Sequence, residues 1–544
     1  MNSFEIVLAM LLAVVASGYL LRLLPLPLPL PLLQIALGVL IAVFFRNGVM
    51  LEPDIFFILF LPPLLFLDGW RIPKNDLLRD KGIILAMALG LVVFTVLGAG
   101  YMIHWMIPSL PLPVAFALAA VVSPTDPVAV SSIAARSLFP KRLTHILQGE
   151  SILNDASGLV CFRFAVAAAT TGTFSFTSAT LAFLWLAAGG IAIGVIVTLL
   201  ITGAQQWLTR RLDEPVGSSI LVNMLLPFGA YMAAEHLHTS GILAAVSAGI
   251  VMSHVELSGQ TLASTRIKRS AVWDTVQFSL NGVMFVLLGE QLPHILRGAG
   301  ESIGQGTHMS RWWLAGYALA ISTGLIMLRF IWVWGTLRLM MFKQSKSHAR
   351  VTRLQLRLVL ATSLAGARGA ITLAGVMTLP LTLPSGDVFP ARDLTILLAS
   401  AIILLSLLAA SIGLPRLLGG MYFPDEPAAL QAEDRARREA AEAAIAAIGQ
   451  AQLELMSRSP DPEIYPQAAA YVIGLYQYRL GADSDSDFGE GRSHERDHAE
   501  KVLRLAALQA ERTTIFQLAL HGQLSDDFSR KLVREIDLIE ARYH

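Results

Sequence analysis

Three short stretches hold the residues whose types and spacing could do chemistry. Pro124-Thr125-Asp126-Pro127 sets a hydroxyl and a carboxylate between two prolines. Glu150, Ser151, Asn154 and Asp155 follow within the next turns of chain. Gly366 and Gly369 enclose Ala367 and Arg368. Apart from one guanidinium, these side chains offer oxygen. Oxygen ligands suit hard cations, and a carboxylate holds a cation or a proton but not both. The chemistry indicated is reversible ion binding rather than bond making.

Each stretch has a local reason to be read this way. Two prolines three apart remove two backbone donors and clash with the preceding turns, so a continuous helix is not expected there. A simple proline kink explains the prolines but not the aspartate between them. Ser151 and Asp155 are four apart and share one helix face, with Glu150 and Asn154 on the adjacent face. One face can offer a hydroxyl and a carboxylate to an ion, and the other a carboxylate to a structural partner. Arg368 keeps its charge at any ordinary pH and calls for a carboxylate. Glu150 is the expected partner. Gly366 and Gly369 loosen their helix or admit another.

The elements that position these residues are membrane spans. Of 544 residues, 54% are hydrophobic and 15% charged, against about a quarter charged in soluble proteins. Ile83–Ala99, Leu181–Gly203 and Leu394–Gly413 contain no ionisable group, and runs of that length span a hydrocarbon core as helices. About thirteen spans are expected, near 4–21, 28–45, 54–70, 82–104, 112–135, 143–169, 180–205, 217–236, 240–254, 273–296, 312–341, 356–380 and 393–418. The first lacks a basic start and a clear cleavage site, so it is read as retained rather than as a signal peptide. With the N-terminus outside, loop Lys and Arg divide about 18 inside to about 4 outside, which favours N-out, C-in.

Ionisable residues deep in spans are costly and mark function. Counting from the cytoplasmic ends, Asp126, Asp155 and Arg368 all fall about 15–20 Å deep, near the midplane. Spans 1–6 and 8–13 form two sets of six in opposite orientation. The Pro-Thr-Asp-Pro break and the Gly-Ala-Arg-Gly break each fall in the fifth member of a set. Broken helices at matching positions of inverted repeats point to a transport site.

Residues 1–421 are expected to form the membrane domain and 422–544 a helical cytoplasmic tail. In the tail, Glu433–Leu455 and Ser525–Tyr543 carry helical patterns, with Ser525 as N-cap, and Gly481–Arg492 reads as an acidic loop. Cys161 is the lone cysteine, which leaves no intrachain disulfide and no thiolate metal cluster. A net charge of +1 gives no sign of a nucleic-acid partner, and no cofactor is called for.

With Leu61-Pro-Pro-Leu-Leu-Phe66, Ser123-Pro-Thr-Asp-Pro-Val128, Gly149-Glu-Ser-Ile-Leu-Asn-Asp155 and Gly366-Ala-Arg-Gly-Ala-Ile371, residues 1 to about 421 resemble the cation:proton antiporter 1 family of sodium/proton exchangers. The resemblance implies a homodimer, an all-α six-plus-six inverted repeat, and crossed, unwound fifth and twelfth helices. It implies that Asp155 binds the monovalent cation and the proton, with Thr125, Asp126 and Ser151 around the ion. It implies a structural pair of Glu150 with Arg368. Asn154 resembles the electroneutral members. Pro124, Pro127, Gly366 and Gly369 would shape the breaks. The family's acidic residue after the Leu-Pro-Pro motif stands closer to it than Asp68 does here. Asp68 either takes that role or caps the span near the inner loop, the second reading being preferred.

The expected function is exchange of Na+, or of Li+ or K+, for H+ in the inner cell membrane, one for one, by elevator-like alternating access, in sodium and pH homeostasis. A cation channel and a cation-coupled symporter are the alternatives. A channel needs a continuous polar path, whereas these polar groups converge at one depth. An enzyme is not expected, because no nucleophile–base pair is evident.

Overall fold

The computed structural model describes residues 2–23, 29–44, 53–71, 81–126, 141–172, 176–209, 211, 216–257, 263–304, 311–344, 353–383, 387–418, 427–458 and 464–484, together with 508, 511, 533 and 535–540. By internal contacts the chain forms two compact units, Met1–Phe423 and Pro424–His544.

The described residues of the first unit are almost entirely helical, with one isolated β-bridge between Thr382 and Val388. The helices are α1 Asn2–Leu23, α2 Leu30–Phe44, α3 Pro53–Arg71 and α4, in which Lys81–Leu85 and Leu91–Met106 flank a π-helical turn at Ala86–Gly90. They continue with α5 Leu112–Val122, α6 Lys141–Thr171, α7 Phe176–Thr209, α8 Val216–His236, α9 Gly241–Leu257, α10 Ala263–Gly304 and α11 Arg311–Gln344. Then come α12 Arg353–Leu364, α13 Ala370–Met377 and α14 Arg392–Leu418. Eight described helices are long and apolar enough to cross a membrane, and three shorter apolar ones accompany them. The fold is an all-α polytopic membrane architecture.

Both expected interruptions are present. Helix α5 stops at Val122, and Ser123–Asp126 are non-helical. Pro127 and the rest of the fifth expected span lie outside the described residues. Helix α12 stops at Leu364, Gly366–Gly369 are non-helical with Gly369 extended, and α13 restarts at Ala370.

The helices pack in two groups. In one, α4, α5 and α6 pack together, as do α11, α12 and α14, and α4 meets α11. The π-helical turn helps here. A π-turn disturbs the regular backbone ladder, and carbonyls within it are taken up by neighbours: Ala88 accepts Ser157 Oγ of α6 at 2.8 Å, and Ala86 accepts Trp332 Nε1 of α11 at 3.2 Å. The other group contains α1, α2, α3, α8, α9 and α10. Its two tightest crossings are glycine contacts made in both directions. A Cβ on Gly38 of α2 would strike the Val286 carbonyl of α10, and one on Gly289 would strike the Ile35 carbonyl of α2. Likewise Gly69 of α3 lies on the Val246 carbonyl of α9, and Gly249 on the Phe66 carbonyl. Small residues let membrane helices approach backbone to backbone.

Burial separates the helices by role. In α7 only 17% of the apolar stretch Leu184–Leu208 is buried, against 56% of Arg392–Leu418 in α14. Leu181, Trp185 and Leu200 on α7 are exposed, as suits a lipid-facing helix.

In the second unit, α15 Pro427–Arg458 covers the helical pattern of Glu433–Leu455, and α16 Ile464–Ser484 is an additional helix. The expected loop at Gly481–Arg492 is therefore helical as far as Ser484; the rest of it, and Ser525, lie outside the described residues.

Gly289→Leu would force α2 and α10 apart, and overpacking of this kind costs about 1–3 kcal/mol. The expected outcome is a lower melting temperature and a smaller monodisperse fraction in detergent. Gly229→Ala, where a Cβ meets nothing within 4 Å, is the control and should leave both unchanged. Equal melting temperatures for Gly289→Leu and the parent would contradict the close-packing account.

Candidate functional site

The two interrupted segments meet and are tied by a backbone bond. The amide of Asp126 donates to the carbonyl of Ala367 at 2.7 Å. Broken helices leave ends with partial charges, negative where carbonyls are freed and positive where amides are. Arg368 answers the negative ends. Its Nε donates to Val122 O at the end of α5 (3.0 Å), and its Nη1 to Gly366 O just beyond α12 (2.7 Å). The Arg368 amide donates to Ser406 Oγ of α14 at 3.0 Å. At the positive end, Gly369 caps the start of α13. A Cβ there would collide with the Asp126 carboxylate. Glycine at 369 is needed for this close approach, which sets Asp126 against the N-terminus of α13.

Helix α6 brings the second set of groups. Ser151 Oγ donates to Thr125 O at 2.9 Å, and Asn154 Nδ2 donates to Thr125 Oγ1 at 3.0 Å. The Thr125 hydroxyl lies 3.4 Å from Glu150 Oε1. Glu150, Ser151, Asn154 and Asp155 are all buried.

The expected pairing of Glu150 with Arg368 is corrected. Glu150 is held by Arg329 of α11, with Nη1 to Oε1 at 2.5 Å and Nη2 to Oε2 at 2.7 Å. Arg329 Nε also donates to Thr362 O of α12 at 3.1 Å. A planar guanidinium meeting a carboxylate in two parallel bonds is a strong, directional arrangement. Arg368 does not require the carboxylate because the carbonyl ends of two broken helices surround it.

Thr125, Asp126 and Asp155 line one small cavity, together with Pro124, Asp68, Gln277, Asn281 and apolar side chains. Its volume is about 30 Å³, room for about two water-sized occupants. Asp68, for which a capping role is preferred from sequence, is on the cavity wall. Ser151 does not line the cavity and acts on it through the Thr125 carbonyl. Sequence reasoning missed Gln277 and Asn281 of α10, since neutral amides inside a span raise no alarm. It also missed Arg329 as the partner of Glu150, although a span-embedded arginine was the available signal.

A family profile described as "Sodium/hydrogen exchanger, transmembrane" matches residues 9–419. The chain belongs to the sodium/hydrogen exchanger family. This is a family of cation/proton antiporters, transporters rather than enzymes. The chain is 39% identical, over 99% of both chains, to an uncharacterized Na(+)/H(+) exchanger of Escherichia coli (strain K12), YjcE. It is 36% identical, over all of this chain and 78% of the relative, to a protein of Bacillus pumilus (strain SAFR-032) named as a sodium, potassium, lithium and rubidium/H(+) antiporter. Among solved structures, the sodium proton antiporter MjNhaP1 of Methanocaldococcus jannaschii matches with a TM-score of 0.57 at 18% identity, over 77% of this chain and 100% of that one. That likeness concerns the fold.

Removing one partner of a buried pair leaves an uncompensated charge, at a cost of about 3–5 kcal/mol. Glu150→Gln and Arg329→Gln are therefore expected to share one phenotype, a loss of folded protein measured as membrane yield and monodispersity. Normal yield of Glu150→Gln with an altered ion preference would show that Glu150 belongs to the ion site instead.

Proposed function

We propose that this exchanger trades one monovalent cation, Na+ foremost, for one proton, with Asp155 as the group both occupy in turn. The observation that carries the reading is the convergence of Asp155, Asp126 and Thr125 on one cavity beside the backbone bond that joins two interrupted helices. The ionised Asp155 attracts a cation, and the protonated one does not. If the cavity opens to one side of the membrane at a time, competition for this carboxylate becomes exchange. A cavity of about 30 Å³ suits a bare or singly hydrated ion and excludes an organic substrate. It is also confined rather than extended, which favours a carrier over a channel.

Ion choice extends to Li+ and K+ in this reading, supported by the name of the Bacillus pumilus relative. One-for-one stoichiometry is supported by Asn154, a neutral neighbour of Asp155 whose Nδ2 donates to Thr125 Oγ1. Asp126 and Asp68 then add carboxylate oxygens on the cavity wall that attract the cation.

A six-plus-six inverted repeat is supported by the way the helices pair. With α2 equivalent to α9 and α3 to α10, the crossing of α2 with α10 exchanges into that of α9 with α3, and these are the two reciprocal glycine contacts. Alternating access in this reading moves the group containing α5, α6, α12 and α13 against the group containing α3 and α10, in the manner of an elevator. The protein works as a homodimer in the inner cell membrane, N-terminus outside and tail in the cytoplasm, for sodium and pH homeostasis. The membrane domain is assigned to 1–421 and the tail to 422–544.

Proteoliposomes with an acidic lumen provide the test. External Na+ is expected to release protons at a rate that does not change when the membrane potential is clamped to zero or imposed in either direction. A rate that follows the imposed potential would sink one-for-one exchange. Asp155→Asn is expected to abolish Na+-dependent proton release while folding normally, and robust exchange by that variant would overturn the assignment of Asp155.

A further inference from the structure

The cavity wall contributed by α10 has a feature that the exchange reading leaves unused. Asn281 faces the cavity together with Asp68, Asp126 and Asp155. Its Oδ1 is buried and has no hydrogen-bond partner. A buried acceptor left without a donor is costly, and such groups are rare enough to need a reason. The two ends of a carboxamide interchange by a half-turn about χ2, so the oxygen can be presented to an occupant of the cavity.

A second observation points the same way. Asn281 continues a polar stripe along α10, in which Asp274, Gln277 and Asn281 follow at intervals of three and four and so share one face. Exposure falls along the stripe, from exposed Asp274 to half-buried Gln277 and Asn281. Arg71, at the end of α3, holds the outer two: it pairs with Asp274, and its Nη1 donates to Gln277 Oε1 at 2.7 Å. The stripe leads from a charged, exposed end to the cavity. Arg71 holds its first two members, and the amide of the third ends beside the carboxylates.

We propose that Asn281 is a cation ligand, a neutral oxygen supplied by α10 that completes the cage of Asp155, Asp126 and Thr125 and sets the preference for the smaller ions over K+. A carboxamide oxygen ranks with backbone carbonyls as a hard ligand. It adds a coordination contact without adding charge, so it tunes ion size while leaving the number of exchanged protons alone. Helix α10 is suited to hold such a ligand still, because Gly289 fixes it backbone to backbone against α2. A smaller cation, with shorter ligand distances and a stricter geometry, depends more on each ligand than a larger one does.

This inference rests on the exchange reading, and the experiment separates the two. Initial rates of cation-driven proton release are measured in proteoliposomes for the full chain, Asn281→Ala, Asn281→Ser and Asn281→Asp, with Na+, Li+ and K+ in turn. Asn281→Ala is expected to raise KM for Na+ and Li+ about tenfold, equivalent to one lost ligand of ordinary strength, with KM for K+ shifted by less and kcat nearly kept. Asn281→Ser and Asn281→Asp, which retain an oxygen, should restore part of the Na+ affinity. Unchanged KM values for all three ions in Asn281→Ala would overturn the proposal, as would a fall in kcat alone. If Asn281→Ala does not fold, the comparison of Asn281→Ser with Asn281→Asp decides, and Na+ to K+ selectivity equal to the parent in both would overturn it. No cation-driven release by the parent protein would instead defeat the exchange reading itself.

Discussion

The bond from the Asp126 amide to the Ala367 carbonyl is where two helices that cannot continue become one unit. Each break creates polar groups that lipid cannot satisfy, and non-helical backbone survives at membrane depth only when protein or a watery cavity answers it. Here the breaks answer each other. The guanidinium of Arg368 sits on the carbonyl ends of α5 and of the stretch after α12. The carboxylate of Asp126 sits at the start of α13, in the space that Gly369 leaves open. Without this mutual compensation, neither the cavity nor the placement of the oxygens on its wall would hold.

A second layer keeps the first in place. Glu150 and Arg329 form a buried pair that joins α6, α11 and α12, and Asn154 and Ser151 each spend a donor on Thr125. The charges therefore divide into those fully engaged by partners, such as Glu150 and Arg329, and those turned toward the cavity, such as Asp155. That division separates a carboxylate bound by a guanidinium from one on a cavity wall, on the same helix and a few residues apart.

Much of this was legible in the sequence because it follows from local chemistry. Prolines at 124 and 127 announce a break, glycines at 366 and 369 another, and a spacing of four puts Ser151 and Asp155 on one face. The identity of long-range partners was not legible. Arg329 and Arg368 are both guanidiniums within apolar spans, and only the packing of α11 on α6 and α12 decides which one Glu150 meets. Arg368 does without a carboxylate because the same breaks free carbonyls, at Val122 and Gly366, that accept from its guanidinium. Asn281 and the π-helical turn of α4 escaped notice for a related reason: a neutral amide, or one extra residue in a turn, leaves no mark in composition or periodicity. Asp68 was ambiguous because its depth depends on where α3 ends.

The glycine crossings of α2 with α10 and of α3 with α9 have a mechanical consequence. Main chain lies directly against main chain there, so no rotamer can relax to absorb a displacement, and those joints behave like rivets. Side-chain contacts, by contrast, slide by exchanging one staggered well for another. In the proposed exchange, any travel of Thr125, Asp126 and Asp155 would be borne by the seams where side chains meet, with the riveted helices, α10 and its Asn281 among them, as the frame.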